Sequence, residues 1–443
     1  MNRFIIKDLH GMQVFTLVWF GQFISIMGTA MTRFALMIWA YDQVGKATTT
    51  ALLGFSSFLP YILLSPLAGV IVDRFDRKKI MIFSDLATGL MTVWMLTMMV
   101  SGNLQVWHLY LAEALSAAFE AFQLPAYSSA VTMLISKDNY SRASGMRSFS
   151  NYASQVLAPI LGGFLVFQIG IKGVMLIDII TFLCAIGTLI VVFIPNPKVQ
   201  EENKGVKSSI FEDMRIGHSY LRERRGLMSL MIMYAGINFL AALTYFGILP
   251  AMVLARSGSS RMILASVQSS LGIGGVLGSL AVSARKGSSK KIYTIVIAGT
   301  CSFFLGDIFL AVGPTYHIWI IAAFFSSLFL PFLTSANSSL WQSKVAPGIQ
   351  GRVFAIRDML QMAFMPVGFV LGGILADYVF EPAMAVGGSL NSTFSWLLGS
   401  GNGAGMALMF LFTGVSGSIL CLSGYFNKNL RNLEKDIPDH DFS

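Results

Sequence analysis

The chain has 443 residues, of which 55% are apolar and 12% charged, and its mean hydropathy is +0.67. Soluble globular proteins carry about 25% charged residues. A soluble domain with so few charges would expose large apolar patches and aggregate, so the composition excludes soluble and disordered proteins and favours an integral membrane protein. The net charge of +9 does not indicate a nucleic-acid partner, because the basic residues lie in short loops between apolar segments.

Apolar runs of about 18 residues or more predict twelve transmembrane helices. In chain order they cover residues 13–40, 49–72, 79–101, 105–135, 145–168, 173–194, 226–252, 261–284, 291–313, 316–342, 354–380 and 404–426. We therefore expect an all-α membrane protein. A series of this length is not expected from the buried helices of a soluble protein.

The positions of the basic residues orient these spans. With the N-terminus in the cytoplasm, nearly all Lys and Arg residues fall on the cytoplasmic side. The exceptions are Arg33, inside the first span, and the outer-loop residues Lys46, Lys172, Arg256 and Arg261. We expect a multi-pass protein of a bacterial inner membrane with both termini in the cytoplasm.

A charged interval that contains Pro195 and Pro197 separates the first six spans from the last six. We expect a six-helix bundle at 1–194, a cytoplasmic linker at 195–225 with an amphipathic helix at 210–224, and a second bundle with a cytoplasmic tail at 226–443. An internal repeat at a constant offset supports two related halves, which are typical of secondary transporters. The positions that recur are Arg142, Arg147, Gly162 and Gly163 in the first half and Arg352, Arg357, Gly372 and Gly373 in the second.

Spans one, four, seven and ten carry polar side chains along one face at helical spacing. A polar face is costly in hydrocarbon, so we expect these spans to line a central cavity. The candidate substrate-binding residues on these faces are Gln22, Arg33, Gln123, Tyr234, Asn238 and Asn337. Ser and Thr on the same faces are equally consistent with bonding to their own helix.

Ionisable side chains inside the spans are candidates for ion pairs or for proton coupling. We expect Arg33 to pair with Asp178 and so position two helices, with Glu113 as the rival partner. Glu120 is the favoured proton carrier, because it lies near mid-membrane on the polar face of span four and the charged form of a desolvated carboxyl group is costly. Glu113 and Asp307 are the alternative carriers.

Pairs of small residues four positions apart occur in equivalent spans of the two halves. They are Ser65/Gly69, Ala158/Gly162, Gly274/Gly278 and Gly368/Gly372. Small residues allow helices to approach closely in a membrane, and the matching positions favour packing between the halves.

No sequence motif indicates an enzyme. The chain has no His-Glu-x-x-His, no Gly-x-Ser-x-Gly and no P-loop, so we expect neither catalysis nor ATP hydrolysis, and no cofactor or metal. A membrane sensor without transport, or a lipid-modifying enzyme, is the alternative from another class.

The loop between spans two and three reads Gly69-Val-Ile-Val-Asp73-Arg74-Phe-Asp76-Arg77-Lys78-Lys79. It resembles the Gly-x-x-x-Asp-Arg-x-Gly-Arg-Arg loop of the major facilitator superfamily, in the form common in its drug-exporting branch. The resemblance implies that the Asp at this position contacts the N-terminal end of span eleven, where the helix dipole favours an anion. It also implies a cytoplasmic gate formed by Gly69, Asp73, Arg74 and Arg77.

Span five contains Ala158-Pro159-Ile-Leu-Gly162-Gly163. Pro159, Gly162 and Gly163 match the antiporter motif Gly-Pro-x-x-Gly-Gly of the same branch, whereas Ala158 departs from its first Gly. The whole chain is similar to the macrolide efflux proteins and the enterobactin exporter of that branch. The resemblance implies the major facilitator fold.

The resemblance also implies a secondary active transporter that exports an amphipathic drug or metabolite by proton antiport and alternating access. A dedicated siderophore or metabolite exporter is the alternative within transport. The expected partners are a small-molecule substrate, protons and the lipid bilayer, and we expect the protein to work as a monomer.

Overall fold

The computed structural model describes residues 11–136, 139–193, 219–284, 290–346 and 349–439. These ranges are helical and contain no β-strand, which confirms the predicted all-α class. The chain divides into two compact units, Met1–Val199 with Leu264–Ser269 and Gln200–Ile263 with Ser270–Ser443. Most of the predicted linker helix at 210–224 lies outside the described residues. The part that is described, residues 219–223, is helical.

Unit 1 is built from five long helices. They are α1 (Met12–Val44), α2 (Ala47–Arg74), α3 (Arg77–Val100), α4 (Val106–Leu134) and α5 (Tyr140–Val191). Helix α5 covers most of predicted spans five and six. Gly170 separates the two spans with a φ of 71°, a conformation that favours glycine. Asp76 caps α3 by accepting a hydrogen bond from the backbone N–H of Lys79 at 3.2 Å, which gives this acid a local structural role.

The remaining helices follow in chain order. They are α6 (Arg225–Thr244), α7 (Ile248–Arg256), α8 (Arg261–Ala284), α9 (Lys291–Cys301), α10 (Phe309–Val312), α11 (Tyr316–Leu328), α12 (Leu330–Lys344), α13 (Gln350–Met362), α14 (Met365–Leu375), α15 (Glu381–Met384), α16 (Asn391–Leu398), α17 (Ala404–Phe426), α18 (Lys428–Arg431) and α19 (Leu433–Asp436). Two π-helical segments, Ser302–Ile308 and Ala376–Phe380, continue α9 and α14.

Ten helical stretches among the described residues are long and apolar enough to cross a membrane. One of them, Arg142–Val191, covers two predicted spans, and α4 is not among the ten. The membrane class is thus supported, while the number of twelve crossings stays a prediction.

The small-residue pairs allow close helix contacts within each unit. A Cβ atom at Gly274 would overlap with the carbonyl oxygen of Phe324 in α11, and one at Gly372 with that of Leu243 in α6. Gly162 lies against α1. Each of these glycines thus contacts a helix of its own unit, and the expected packing between the halves stays a prediction.

Gly278→Ala is expected to lower the free energy of unfolding by about 1–3 kcal/mol, because the added methyl group would overlap with the carbonyl oxygen of Leu328. Gly187→Ala is a matched control, since no heavy atom lies within 4 Å of its Cβ position and alanine favours a helix. Thermal melting of the purified variants in detergent measures both. Equal melting temperatures would contradict the close contact between α8 and α11.

The C-terminal residues fold back onto unit 2. The Glu434 carboxylate accepts hydrogen bonds from the backbone N–H groups of Lys291 at 3.0 Å and Ile292 at 3.4 Å, and so caps α9. Lys344 is buried, donates to the carbonyl oxygens of Glu434 and Ile437, and pairs with Asp439 at 2.9 Å. The hydrogen bond from Lys344 lowers the pKa of Asp439, so the pair stabilises the tail at neutral pH and is lost as the pH falls.

Candidate functional site

Unit 1 contains a cavity of about 390 Å³, to which all five of its helices contribute side chains. The size lies within the range of small-molecule pockets. Its wall combines aromatic side chains with several ionisable ones. The ionisable groups other than tyrosine are Arg33, Asp85, Glu120, Arg147 and Asp178.

The polar face predicted for span one lines this cavity. Gln22, Ser25, Thr29 and Arg33 lie three or four residues apart on α1, so the helical period places them on one side. Gln123 and Glu120 reach the same cavity from α4. The structure thus brings together three predicted substrate-binding residues and one predicted proton carrier.

Arg33 forms ion pairs with two carboxylates of α4. Its Nε lies 3.2 Å from Oε2 of Glu113, and its Nη2 lies 2.6 Å from Oε1 of Glu120. Glu113 also accepts a hydrogen bond from the hydroxyl of Ser57 at 2.9 Å. Glu113 and Glu120 are seven residues apart, two helical turns, so one guanidinium can reach both. With both carboxylates ionised, the Arg33–Glu113–Glu120 cluster carries one excess negative charge.

The expected ion pair between Arg33 and Asp178 is not formed. Asp178 is 2% exposed and accepts hydrogen bonds from the hydroxyls of Thr29 and Thr92, each at 3.1 Å. The physical reason is that Asp178 is almost fully buried beside these two hydroxyls, while the long side chain of Arg33 reaches the carboxylates of α4. The rival partner Glu113 is the one that the structure places beside Arg33.

Asp85 belongs to the same cavity and was missed by the sequence analysis. Its Oδ2 accepts a hydrogen bond from Nε2 of Gln22 at 2.7 Å, and its Oδ1 accepts one from Nε2 of Gln123 at 2.6 Å. Nε2 of Gln123 also lies 3.2 Å from Oε1 of Gln22. The spacing of Asp85, Thr88 and Thr92 along α3 is the helical signal that could have identified it.

Asp307 belongs to unit 2, where it lies in the π-helical segment Ser302–Ile308 and is 1% exposed. It accepts hydrogen bonds from the hydroxyls of Tyr245 at 2.7 Å and Thr413 at 2.9 Å. The arrangement parallels that of Asp178, because each carboxylate joins the first, third and sixth predicted spans of its half. In this geometry, Asp307 holds three helices together through its two hydrogen bonds.

The other predicted residues of unit 2 use their polar atoms in helix contacts. The Tyr234 hydroxyl donates to the backbone carbonyl oxygen of Leu333 at 2.7 Å. The side-chain amide of Asn238 donates to the backbone carbonyl oxygen of Gln361 at 3.0 Å. Asn337 accepts a hydrogen bond from the indole N–H of Trp341 at 3.0 Å. Among the described residues, no group of three or more His, Cys, Asp and Glu side chains could hold a metal ion.

The two predicted motifs lie on unit 1. Arg77 donates to Sδ of Met133 at 2.6 Å. The surroundings of Gly69 and the side chains of Asp73 and Arg74 lie outside the part of the structure that is described. Pro159, Gly162 and Gly163 lie in α5. At Gly162 a Cβ atom would lie 3.4 Å from Cα of Met31, so this motif supports the packing of α5 on α1, which lines the cavity.

Solved structures of transporters share this fold. A bacterial homologue of the human lysosomal transporter Spinster, in an inward-facing and unoccupied conformation, superposes with a TM-score of 0.64 at 16% identity, covering 96% of this chain and 98% of the other. The nucleoside transporter NupG superposes with a TM-score of 0.65 at 13% identity, covering 93% and 98%.

Sequence comparison identifies relatives and a family. Macrolide efflux protein A of Streptococcus pyogenes is 24% identical over 374 residues, 82% of this chain and 90% of that protein. Macrolide efflux protein A of Enterococcus faecalis is 24% identical over 320 residues, 70% of this chain and 96% of that protein. The sequence profile of the Major Facilitator Superfamily matches residues 18–368. Because this match covers most of the chain and agrees with the fold, the predicted family is confirmed, and the chain belongs to the Major Facilitator Superfamily of membrane transporters.

Proposed function

We propose that this transporter exports an amphipathic small molecule, a drug or a metabolite, in exchange for protons by alternating access. The observation that carries the proposal is the Arg33–Glu113–Glu120 cluster at the cavity, in which one guanidinium faces two carboxylates. The efflux direction is taken from the macrolide efflux relatives.

The charge balance of this cluster is suited to proton coupling. One guanidinium faces two carboxylates, so one carboxylate of the cluster has no counter-cation of its own, which is the kind of group that a proton carrier requires. Of the two carboxylates, Glu120 lines the cavity and can exchange its proton there, whereas Glu113 is further buried beside Ser57. Protonation of Glu120 leaves Arg33 neutralised by Glu113.

An amphipathic substrate fits the composition of the cavity wall. The rings of Trp19 and Phe23 stack with their centroids 5.7 Å apart, and Phe182 adds a further apolar surface. Polar groups from Gln22 and Gln123 share the wall with these rings. Such a wall can accept an apolar body and orient a polar group at the same time.

Two further parts of the proposal rest on the motifs. Gly69, Asp73, Arg74 and Arg77 would form the gate on the cytoplasmic side, which alternately closes and opens as the transporter changes conformation. The protein would do this as a monomer in a bacterial inner membrane, with both termini in the cytoplasm.

Flux measurements in proteoliposomes test the proposed function. The purified protein is reconstituted, a pH gradient is imposed, and accumulation of a macrolide and of fluorescent amphipathic dyes is followed. We expect gradient-driven transport that a protonophore abolishes. Transport that is unchanged by the protonophore would contradict proton antiport, and absence of flux for every compound that binds would favour a membrane protein without transport.

A further inference from the structure

We infer that Asp85, held between Gln22 and Gln123, binds a protonated amine of the substrate, so that the transported molecules are amphipathic amines. This inference rests on the proposed function, because it takes the cavity of unit 1 as the substrate-binding site. It assigns to Asp85 a role different from that of the Arg33–Glu113–Glu120 cluster.

The charges that face the cavity identify Asp85 as the acid available to a ligand. Arg33 is paired with Glu113 and Glu120, and Arg147 lies over the ring of Tyr127 at 5.2 Å. Within the described ranges, no basic side chain forms an ion pair with Asp85. A carboxylate at a cavity wall without a counter-cation attracts a positively charged group.

Asp178 is the other acid at the wall without an arginine partner, but it is far less available. Its side chain is only 2% exposed, so little of its carboxylate is open to the cavity. Asp85 is only partly buried. Of the two acids, Asp85 is therefore the more accessible to a ligand cation.

The hydrogen bonds at Asp85 leave room for an N–H donor. Each carboxylate oxygen receives one amide N–H, from Gln22 at 2.7 Å and from Gln123 at 2.6 Å, so each retains further acceptor capacity. The two amides fix the orientation of the carboxylate but supply no net charge. An ammonium group supplies both the missing charge and the donors, and charge-assisted hydrogen bonds are the stronger kind.

A second observation points to the same ligand. Oε1 of Gln123 is buried and has no hydrogen-bond partner among the residues that the structure describes. A buried acceptor without a donor is costly, and Oε1 belongs to the same amide whose Nε2 donates to Asp85, so this acceptor lies beside the carboxylate. The carboxylate and this amide oxygen together offer acceptors for an ammonium group with more than one hydrogen.

The apolar part of such a ligand has a place on the same wall. Trp19 and Phe23 precede and follow Gln22 on α1, and their rings stack with an interplanar angle of 5°. Phe149 packs against both rings, with centroids 6.5 and 5.8 Å away. Aromatic faces also favour a nearby cation. A molecule with an apolar body and one amine therefore matches the neighbourhood of Asp85.

Equilibrium binding to the purified protein in detergent tests the inference. The probes are monodansylcadaverine, a fluorescent primary amine that is protonated at neutral pH, and its uncharged N-acetyl derivative. We expect the wild-type protein to bind the amine at least about tenfold more tightly, since a hydrogen bond to a charged group contributes about that factor or more. Asp85→Asn is expected to remove this preference and leave the affinity for the N-acetyl probe within about twofold.

Two further variants make the result specific. Asp85→Glu retains the carboxylate and should retain a preference for the amine. Asp42→Asn is a matched control, because Asp42 is exposed on the same unit and does not line the cavity. Unchanged amine affinity in a folded Asp85→Asn protein would overturn the inference, as would a wild-type protein that binds the two probes equally.

Failure of this inference can be distinguished from failure of the proposed function. Gradient-driven flux of the N-acetyl probe with no preference for the amine would remove the role of Asp85 and leave the exporter intact. A preference for the amine that depends on Asp85, in a protein without gradient-driven flux, would support the binding site and contradict proton antiport.

Discussion

Glu120→Gln is expected to abolish proton-driven export while leaving the protein folded. The amide oxygen of glutamine can still accept the hydrogen bond that Glu120 receives from Arg33 at 2.6 Å, and Glu113 still neutralises the guanidinium. What is lost is the exchangeable proton, because glutamine mimics the protonated state permanently. A transporter locked in this state can no longer link substrate movement to the pH gradient.

The measurement is substrate flux in proteoliposomes with and without an imposed pH gradient, together with exchange of labelled for unlabelled substrate at equal pH. The Glu120→Gln protein should retain exchange and lose the response to the gradient. Glu223→Gln is the matched control, since Glu223 is 69% exposed and does not line the cavity of unit 1. If Glu120→Gln responds to the gradient as the wild type does, the coupling group is another carboxylate, and Glu113 and then Asp307 are the next to replace.

The sequence was sufficient for the features that depend on local periodicity. Low charge and long apolar runs determine the membrane class, and the spacing of Gln22, Thr29 and Arg33 determines which face of α1 meets the cavity. The same spacing placed Gln123 and Glu120 at the wall from α4. These properties follow from one helix at a time, so no knowledge of tertiary contacts is needed.

The choice of partners could not be predicted in the same way. Whether Arg33 pairs with Asp178 or with acids of α4 depends on how far its long side chain reaches across a cavity whose width the sequence does not define. Asp85 was overlooked because it lies near the end of a span, where an acid is commonly close to water. Its importance depends on two glutamines from α1 and α4, which only the tertiary structure brings together.

The sequence predicts where helices pack closely, but it does not predict which helix approaches. The sequence predicts close helix contacts at Gly274 and Gly372, and the structure contains them, since only a missing side chain allows this backbone approach. Which helix approaches is a tertiary property, and it proved to be a neighbour in the same unit. The π-helical segment around Asp307 has no signal in the hydrophobic pattern, because one additional residue in a turn hardly changes the periodicity.

Arg33→Gln is expected to destabilise the protein, because it leaves Glu113 and Glu120 without their shared cation. Breaking a fully buried ion pair costs about 3–5 kcal/mol. The side chains of Arg33 and Glu120 are 37% and 38% exposed, so the cavity screens part of the interaction, and a loss of about 1–3 kcal/mol is expected. Unfolding in detergent measures the loss, and transport should fall with it because Glu120 loses its partner.

A double-mutant cycle identifies the partner of Arg33. Arg33→Gln combined with Glu113→Gln should destabilise less than the sum of the single changes, because the double variant leaves no uncompensated charge at Glu113, whose side chain is only 15% exposed. Arg33→Gln combined with Asp178→Asn should show the weaker coupling of the two cycles, since Asp178 is held by Thr29 and Thr92 and forms no ion pair with Arg33. Strong coupling of Arg33 to Asp178, together with additivity at Glu113, would make Asp178 the partner of Arg33. The excess negative charge on which proton coupling depends would then no longer lie at the Arg33–Glu113–Glu120 cluster.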